Sequence, residues 1–153
     1  MGGYLDRVAA AYGGVILLLG RLALGAIFVP SGFGKLTRLD AFAQTLAARG
    51  VPASGLLAVI GACVEFFGAL CVVLGLKTRY AALVMAVFTA IAALIAHQFW
   101  QLEGAARTAQ HIQFMKNLAI IGGFLYLFAA GPGPFSVDRR GRCLQITAGP
   151  PGS

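Results

Sequence analysis

The stretch that decides the fold comprises residues 56–76, LLAVIGACVEFFGALCVVLGL. A helix of this length rises about 30 Å, which matches the thickness of the hydrocarbon core of a bilayer. Glu65 lies near its middle, where an ionised side chain costs on the order of 3 kcal/mol on insertion scales. The sequence therefore predicts a membrane-spanning helix whose one carboxylate faces other helices or a hydrated cavity.

The composition of the whole chain is that of a membrane protein. Of its 153 residues, 59% are hydrophobic and 11% are charged, and the mean hydropathy is +0.83. A soluble core of this size does not need so much apolar material. The formal net charge of +7 comes from scattered cations, which argues against a nucleic-acid partner and favours contact with anionic lipid headgroups.

Three further apolar segments, residues 14–33, 80–100 and 114–131, are each long enough to cross a bilayer. No CxxC, GxGxxG or nucleophile motif accompanies them, so the sequence identifies no catalytic residue and leaves open whether the protein is an enzyme. The prediction is an all-α, membrane-spanning four-helix bundle.

Residues 36–54 are too polar to cross the membrane. Within them Leu39, Phe42 and Leu46 recur at helical spacing, with polar residues on the opposite side. This pattern predicts a short amphipathic surface helix between the first and second spans.

Domain limits and orientation follow from the same pattern. We expect residues 1–138 to form a single transmembrane domain and residues 139–153 to form a basic, flexible tail. Six Lys and Arg residues outside the spans fall on the side of the termini and five on the other side, which favours cytoplasmic termini for a multi-pass protein of the cell membrane.

One face of the first span carries its polar and small residues. At about 100° per residue, Arg21, Gly25, Phe28, Gly32 and Lys35 fall within a stripe roughly 80° wide. This stripe is predicted to face the other helices. The proline between its last members, at position 30, predicts that the helix kinks or ends there.

Arg21 and Glu65 are predicted to form a buried ion pair. Counted from the predicted span ends, Arg21 lies about 10 Å and Glu65 about 16 Å from the inner boundary, within reach of a guanidinium. Removing one partner would strand the other charge at a cost of roughly 3 to 5 kcal/mol. Two roles stay open: a lock between the first two spans, or part of a proton or ligand path.

A second polar group gathers near the outer boundary. The group admits three interpretations: ordinary interfacial side chains, a pocket for an anionic or quinone-like headgroup, or metal or haem ligands. Its histidines lie on different segments without a ligand-spacing motif, so no metal site is predicted. The candidate ligand-binding residues are Lys35, His97, His111, Lys116 and Asn117.

Together these residues resemble the DoxX family of small four-helix membrane proteins, over most of residues 21–138. The order and spacing of the pieces carry the resemblance, since each piece alone is degenerate. They are Arg21 with Gly32 and Lys35, Gly50 with Pro52, Glu65 with Gly68, Leu74, Gly75, Thr78 and Arg79, and Asn117 with Gly131, Gly133, Ser136 and Asp138.

The resemblance implies an association with quinone-linked sulfur oxidation or with membrane-bound thiol and oxidative-stress systems. It favours a membrane subunit that holds a quinone-like ligand or a membrane or peripheral redox partner. The alternative is a non-enzymatic scaffold or small-solute carrier. A quinone is the one cofactor candidate, the lipid bilayer is the expected environment, and the sequence leaves the oligomeric state open.

Overall fold

A computed structural model of the chain describes residues 3–139, and the predicted tail lies outside this range except for its first residue. The described part is helical. Its elements are α1 (Tyr4–Leu36), α2 (Leu39–Ala48), α3 (Ser54–Leu74), α4 (Thr78–Ala96), a 3₁₀ turn (Phe99–Gln101) and α5 (Gly104–Ala130).

Four of these helices, α1, α3, α4 and α5, are long and apolar enough to cross a membrane. α1 packs on α3, α3 on α4 and α4 on α5, and the short α2 packs on α3. The prediction of an all-α four-helix membrane bundle with a surface helix between the first two spans is confirmed.

Two of the spanning helices are longer than predicted. α1 begins at Tyr4 rather than at residue 14, and it continues through Pro30 to Leu36. Of the two predicted outcomes at this proline, a kink or an end, the end does not occur, because a proline removes only one backbone hydrogen bond and neighbouring membrane helices support the rest. α5 begins at Gly104, so the polar connection before residue 114 is mostly helical.

Small residues set the contact between α1 and α3. The predicted inward stripe of α1 is confirmed in that Arg21, Gly25, Phe28 and Gly32 are its buried residues. A Cβ atom at Gly32 would lie 2.7 Å from the backbone nitrogen of Phe66. Glycine is therefore required there, because any side chain would push the two backbones apart.

The core lies between α3, α4 and α5, with one large side chain from α1. Met85 and Val72 are fully buried, and the rings of Phe28 and Phe124 are 5.6 Å apart between centroids. A strip of small residues on α4, including the buried Ala82, allows the neighbouring helices to approach closely.

α2 presents its apolar face to the bundle. Leu46 is buried and Phe42 is half-buried, whereas Asp40 and Gln44 are exposed. The helix is followed by a turn that contains Gly50 at φ +74°, a backbone conformation that favours glycine. This arrangement places α2 across the end of the bundle where α1 ends and α3 begins.

Candidate ligand site

One buried charge, Arg21, lies at the end of the bundle that contains the α3–α4 turn. The Arg21 side chain is 1% exposed. Its Nη2 donates a hydrogen bond to the backbone oxygen of Phe135, in the segment that follows α5. The carboxylate of Asp138 acts on the same guanidinium electrostatically.

Asp138 ties that segment to the start of α4. Its carboxylate accepts hydrogen bonds from the backbone nitrogens of Lys77 (2.6 Å) and Thr78 (2.9 Å) and from the Thr78 hydroxyl (2.9 Å). Its own backbone nitrogen donates to the oxygen of Gly75 at 2.9 Å. Asp138 therefore caps α4 from a remote part of the chain, where the helix has unsatisfied N–H groups and a favourable dipole. We call residues 131–138 the closing segment.

The second buried charge, Glu65, has a different partner. The Nζ of Lys35 donates a hydrogen bond to Oε2 of Glu65 at 2.5 Å, and the two form an ion pair. The Glu65 side chain is 3% exposed and that of Lys35 is 32% exposed. Lys35 also lies over the ring of Phe42, with 5.2 Å from Nζ to the ring centroid, a geometry that attracts a cation to the ring face.

The predicted ion pair between Arg21 and Glu65 is therefore wrong. α1 and α3 run antiparallel, and their close contacts place Arg21 against Gly75 and Gly32 against Phe66. Ten residues of α3 separate Gly75 from Glu65, which is about 15 Å along the helix and beyond the reach of the guanidinium. The depth estimate failed because it set residue 14 of α1 level with residue 76 of α3, whereas the observed register sets Arg21 level with Gly75.

A groove of about 560 Å³ lies beside the Lys35–Glu65 pair. Phe42, Leu46 and Val51 line it from α2 and the following turn, and α3 and α4 supply the remaining walls. Lys35 is its one charged lining residue within residues 3–139, and every other lining residue there is apolar or glycine. A groove of this size and polarity suits a ligand with an apolar chain and a small polar head.

The groove is open along the membrane. Several α4 residues that line it, including Leu83, Val84 and Ile91, are about half exposed. Exposed apolar positions of a membrane-spanning helix face the acyl chains in a bilayer, so this side of the groove is expected to face lipid.

Comparison with known proteins identifies the family of the chain. The sequence profile of the DoxX family matches residues 16–98, which is more than half of the chain. The chain belongs to the DoxX family. The matched range contains Arg21, Lys35, Glu65 and every residue that lines the groove, and it ends before the closing segment.

Full-length relatives of this DoxX protein are inner membrane proteins of Escherichia coli. It is 39% identical to the inner membrane protein YphA over 126 residues, which is 82% of this chain and 90% of YphA. It is 38% identical to the inner membrane protein YqjF over 123 residues, which is 80% of this chain and 89% of YqjF. With its four apolar helices, this chain is a multi-pass membrane protein.

A shorter similarity reaches a eukaryotic protein. The Surfeit locus protein 4 homolog of Schizosaccharomyces pombe is 38% identical over 71 residues, which is 45% of this DoxX chain and 24% of that protein. No solved structure matches the chain.

The other predicted ligand residues of this DoxX protein lie away from the groove. His97 is hydrogen-bonded to the side chain of Gln110, with 2.7 Å between Nδ1 and Oε1. The ring of His111 packs edge-on against Phe99, with 4.8 Å between centroids. These contacts join the end of α4 and the 3₁₀ turn to the first part of α5.

Lys116 and Asn117 lie further along α5, where Lys116 is exposed and Asn117 is half-buried. Of the five predicted ligand residues, Lys35 alone lines the groove within the described part of this DoxX chain. The structure thus separates Lys35 from the other four. Within residues 3–139 no three His, Cys, Asp or Glu side chains lie together as ligands for a metal ion.

Sequence reasoning missed the groove itself. Its walls come from α2, α3 and α4, and many of its lining residues read in the sequence as ordinary lipid-facing positions. It also missed Arg49, whose Nη1 donates hydrogen bonds to backbone oxygens at the end of α4. The one sequence signal for the groove was the apolar face of α2, which includes Phe42 and Leu46.

Proposed function

We propose that this protein is a membrane subunit that binds a neutral amphiphile of the quinone class. The ligand's polar head contacts the Lys35–Glu65 pair, and its apolar chain lies along the groove between α2, α3 and α4. The observation that carries the proposal is an apolar groove of about 560 Å³ with a single charged lining residue in the described chain, set against a buried carboxylate.

The charge of the pair favours a neutral head over an anionic one. Lys35 and Glu65 together carry no net charge, and the other described lining residues carry none. A phosphate or carboxylate head would approach the buried Glu65 carboxylate, and like charges at low dielectric repel strongly. A quinone carbonyl adds no charge to the site.

Lys35 supplies the hydrogen bond that such a head needs. An ammonium group has three N–H donors, and one of them is directed to Glu65. A quinone carbonyl can accept another, and the one-third exposure of the Lys35 side chain leaves room for the approach. The proposal extends to the redox role that the family resemblance implies, in which the chain holds the quinone for a membrane or peripheral partner.

Photoaffinity labelling tests the proposal. The purified protein is reconstituted in bilayer discs of synthetic lipid, labelled with an azido-quinone that carries a short prenyl chain, and analysed by peptide mass spectrometry. We expect labelled peptides within residues 35–95, and we expect competition by unlabelled prenylquinone but little by a fatty acid of equal chain length.

Four variants sharpen the labelling experiment. Lys35→Ala removes the donor, and we expect about a tenfold loss of quinone affinity, the effect of one charge-assisted hydrogen bond. Val84→Trp fills the groove with a larger side chain and should abolish labelling. Lys116→Ala removes a cation outside the groove, and Val59→Trp adds the same bulk to an exposed position of α3 that does not line it; both should label as the parent does.

Equal labelling of all four variants would overturn the proposal, as would equal competition by the fatty acid. Recovery of a stable soluble partner from mild detergent, with no quinone in the lipid extract, would instead favour the scaffold alternative.

We also propose an orientation of the protein in the membrane, with both termini on the cytoplasmic side. With the closing segment and the Lys77 turn inside, the Lys35–Glu65 end of the groove is nearer the outer surface. A reporter fused to the carboxyl terminus should be active only in a cytoplasmic form, and activity of a periplasmic reporter there would reverse the orientation.

A further inference from the structure

A single arginine on the outer side of the bundle joins α2 to α4. Arg49 follows the last residue of α2, and its Nη1 donates hydrogen bonds to the backbone oxygens of Ile95 (2.9 Å) and Ala96 (2.5 Å). These oxygens lie in the last turn of α4, where carbonyl groups have no partner within the helix. A cation at this end also interacts favourably with the helix dipole.

α2 in turn carries one wall of the charged end of the groove. The ring of Phe42 lies over the ammonium of Lys35 at 5.2 Å, and both residues line the groove. A short turn at residues 37–38 precedes α2 and the turn with Gly50 follows it. The helix is thus bounded by non-helical backbone on both sides, and its placement depends on what holds it.

These contacts form a continuous path. Arg49 fixes the end of α2 to α4, α2 places Phe42 over Lys35, and Lys35 pairs with Glu65. We propose that Arg49 is a positioning residue for the ligand site: it holds Phe42 against Lys35 and so orients the ammonium toward the groove. The expected effect of Arg49 on ligand affinity rests on the proposed quinone function. The placement of Phe42 can be measured without any ligand.

The first measurement is an NMR signal that reports this placement. The chain has three lysines, and isotopic labelling of lysine makes the ε-methylene of Lys35 assignable by its loss in Lys35→Met. The ring of Phe42 shifts that signal through its ring current, and Phe42→Leu defines the shift without the ring. We expect Arg49→Ala to move the Lys35 signal toward the Phe42→Leu value, and Arg49→Lys to restore part of the difference.

The matched control is Arg107→Ala. Arg107 is an exposed cation near the start of α5, and no side-chain contact is described for it within residues 3–139. The Arg107→Ala variant also removes one positive charge from the protein surface, but it leaves α2 undisturbed. The Lys35 signal should therefore stay at its parent position in this variant.

The second measurement is quinone affinity in a double-mutant cycle. We expect Arg49→Ala to weaken binding about three- to tenfold, the range for one net hydrogen bond. If Arg49 acts through Phe42, the double variant Arg49→Ala/Phe42→Leu should bind about as weakly as Phe42→Leu alone, because the two losses share one cause.

Each outcome decides a different claim. An unchanged Lys35 signal in Arg49→Ala overturns the positioning role whether or not quinone binds. A moved signal with unchanged affinity, or fully additive losses in the cycle, also overturns it. If the parent protein binds no quinone at all, the proposed function fails, and the NMR shift alone still establishes or removes the path from Arg49 to Lys35.

Discussion

The two buried charges within residues 3–139, Arg21 and Glu65, differ in their partners. Arg21 is bonded to a backbone oxygen of the closing segment, and the carboxylate nearby, Asp138, is itself occupied in capping α4. Glu65 is paired with a partly exposed lysine at the edge of an apolar groove. The first arrangement uses a charge to hold chain segments together, whereas the second leaves a charge where a ligand can reach it.

This difference teaches that burial alone does not mark a functional charge in a membrane helix. Arg21 and Glu65 are both almost fully buried, and an ionisable residue inside a membrane is a functional candidate by default. The groove distinguishes them. A depression of about 230 Å³ near the closing segment is lined by Lys77, Arg79 and Asp138 but not by Arg21, so the guanidinium stays within the packing.

The largest expected effect comes from breaking the Lys35–Glu65 pair. Lys35→Met should lower the free energy of unfolding by about 3 kcal/mol, the lower end of the range for a broken buried ion pair, because Glu65 is left without its counter-charge. SDS titration in mixed micelles measures the change. The double variant Lys35→Met/Glu65→Leu should recover most of the loss, and a double variant no more stable than the single one would contradict the pairing.

An intermediate loss of stability is expected from a substitution at the contact between α1 and α3. Gly32→Ala should cost about 1–3 kcal/mol, because its Cβ would lie 2.7 Å from the Phe66 backbone nitrogen and the helices must separate. Gly34→Ala is the matched control, since nothing lies within 4 Å of its Cβ.

Gly32 lies one helical turn from Lys35 and about three turns from Arg21. Its replacement therefore also tests whether the proposed quinone site at Lys35 depends on the contact between α1 and α3. Quinone labelling should fall in Gly32→Ala and stay unchanged in Gly34→Ala. Equal stability of the two variants in the same SDS titration would show that the contact is looser than described.

The smallest expected effect belongs to the closing segment. Asp138→Asn should lower the free energy of unfolding by about 1 kcal/mol, the usual cost of weakening a helix cap, and should leave quinone labelling unchanged. Glu103→Gln is the control, because Glu103 precedes α5 without a side-chain capping bond. A loss of labelling in Asp138→Asn as large as that in Lys35→Ala would show that the two ends are coupled.

Much of the fold was predictable because it depends on local composition. The apolar lengths predict four crossings, and the spacing of Leu39, Phe42 and Leu46 predicts α2. The inward stripe of α1, from Arg21 to Gly32, follows from helical geometry and from the cost of exposing polar groups to lipid. None of these predictions requires knowing which helix is adjacent to which.

The partner of each charge was not predictable in the same way. It depends on the register between α1 and α3, which Gly25 and Gly32 set by close contact. The predicted depths placed Arg21 about 6 Å from the level of Glu65, whereas the observed register separates the two levels by about 15 Å. That is enough to exchange Arg21 for Lys35 as the partner of Glu65.

The sequence by itself determined that this chain crosses the membrane four times and that Arg21 and Glu65 face inward, because the bilayer penalises every exposed charge wherever the helices pack. Only the tertiary structure decided that Glu65 meets Lys35, that Asp138 caps α4, and that α2, α3 and α4 enclose a groove. Those features depend on distances between segments far apart in the chain, and lipid penalties alone do not specify such distances.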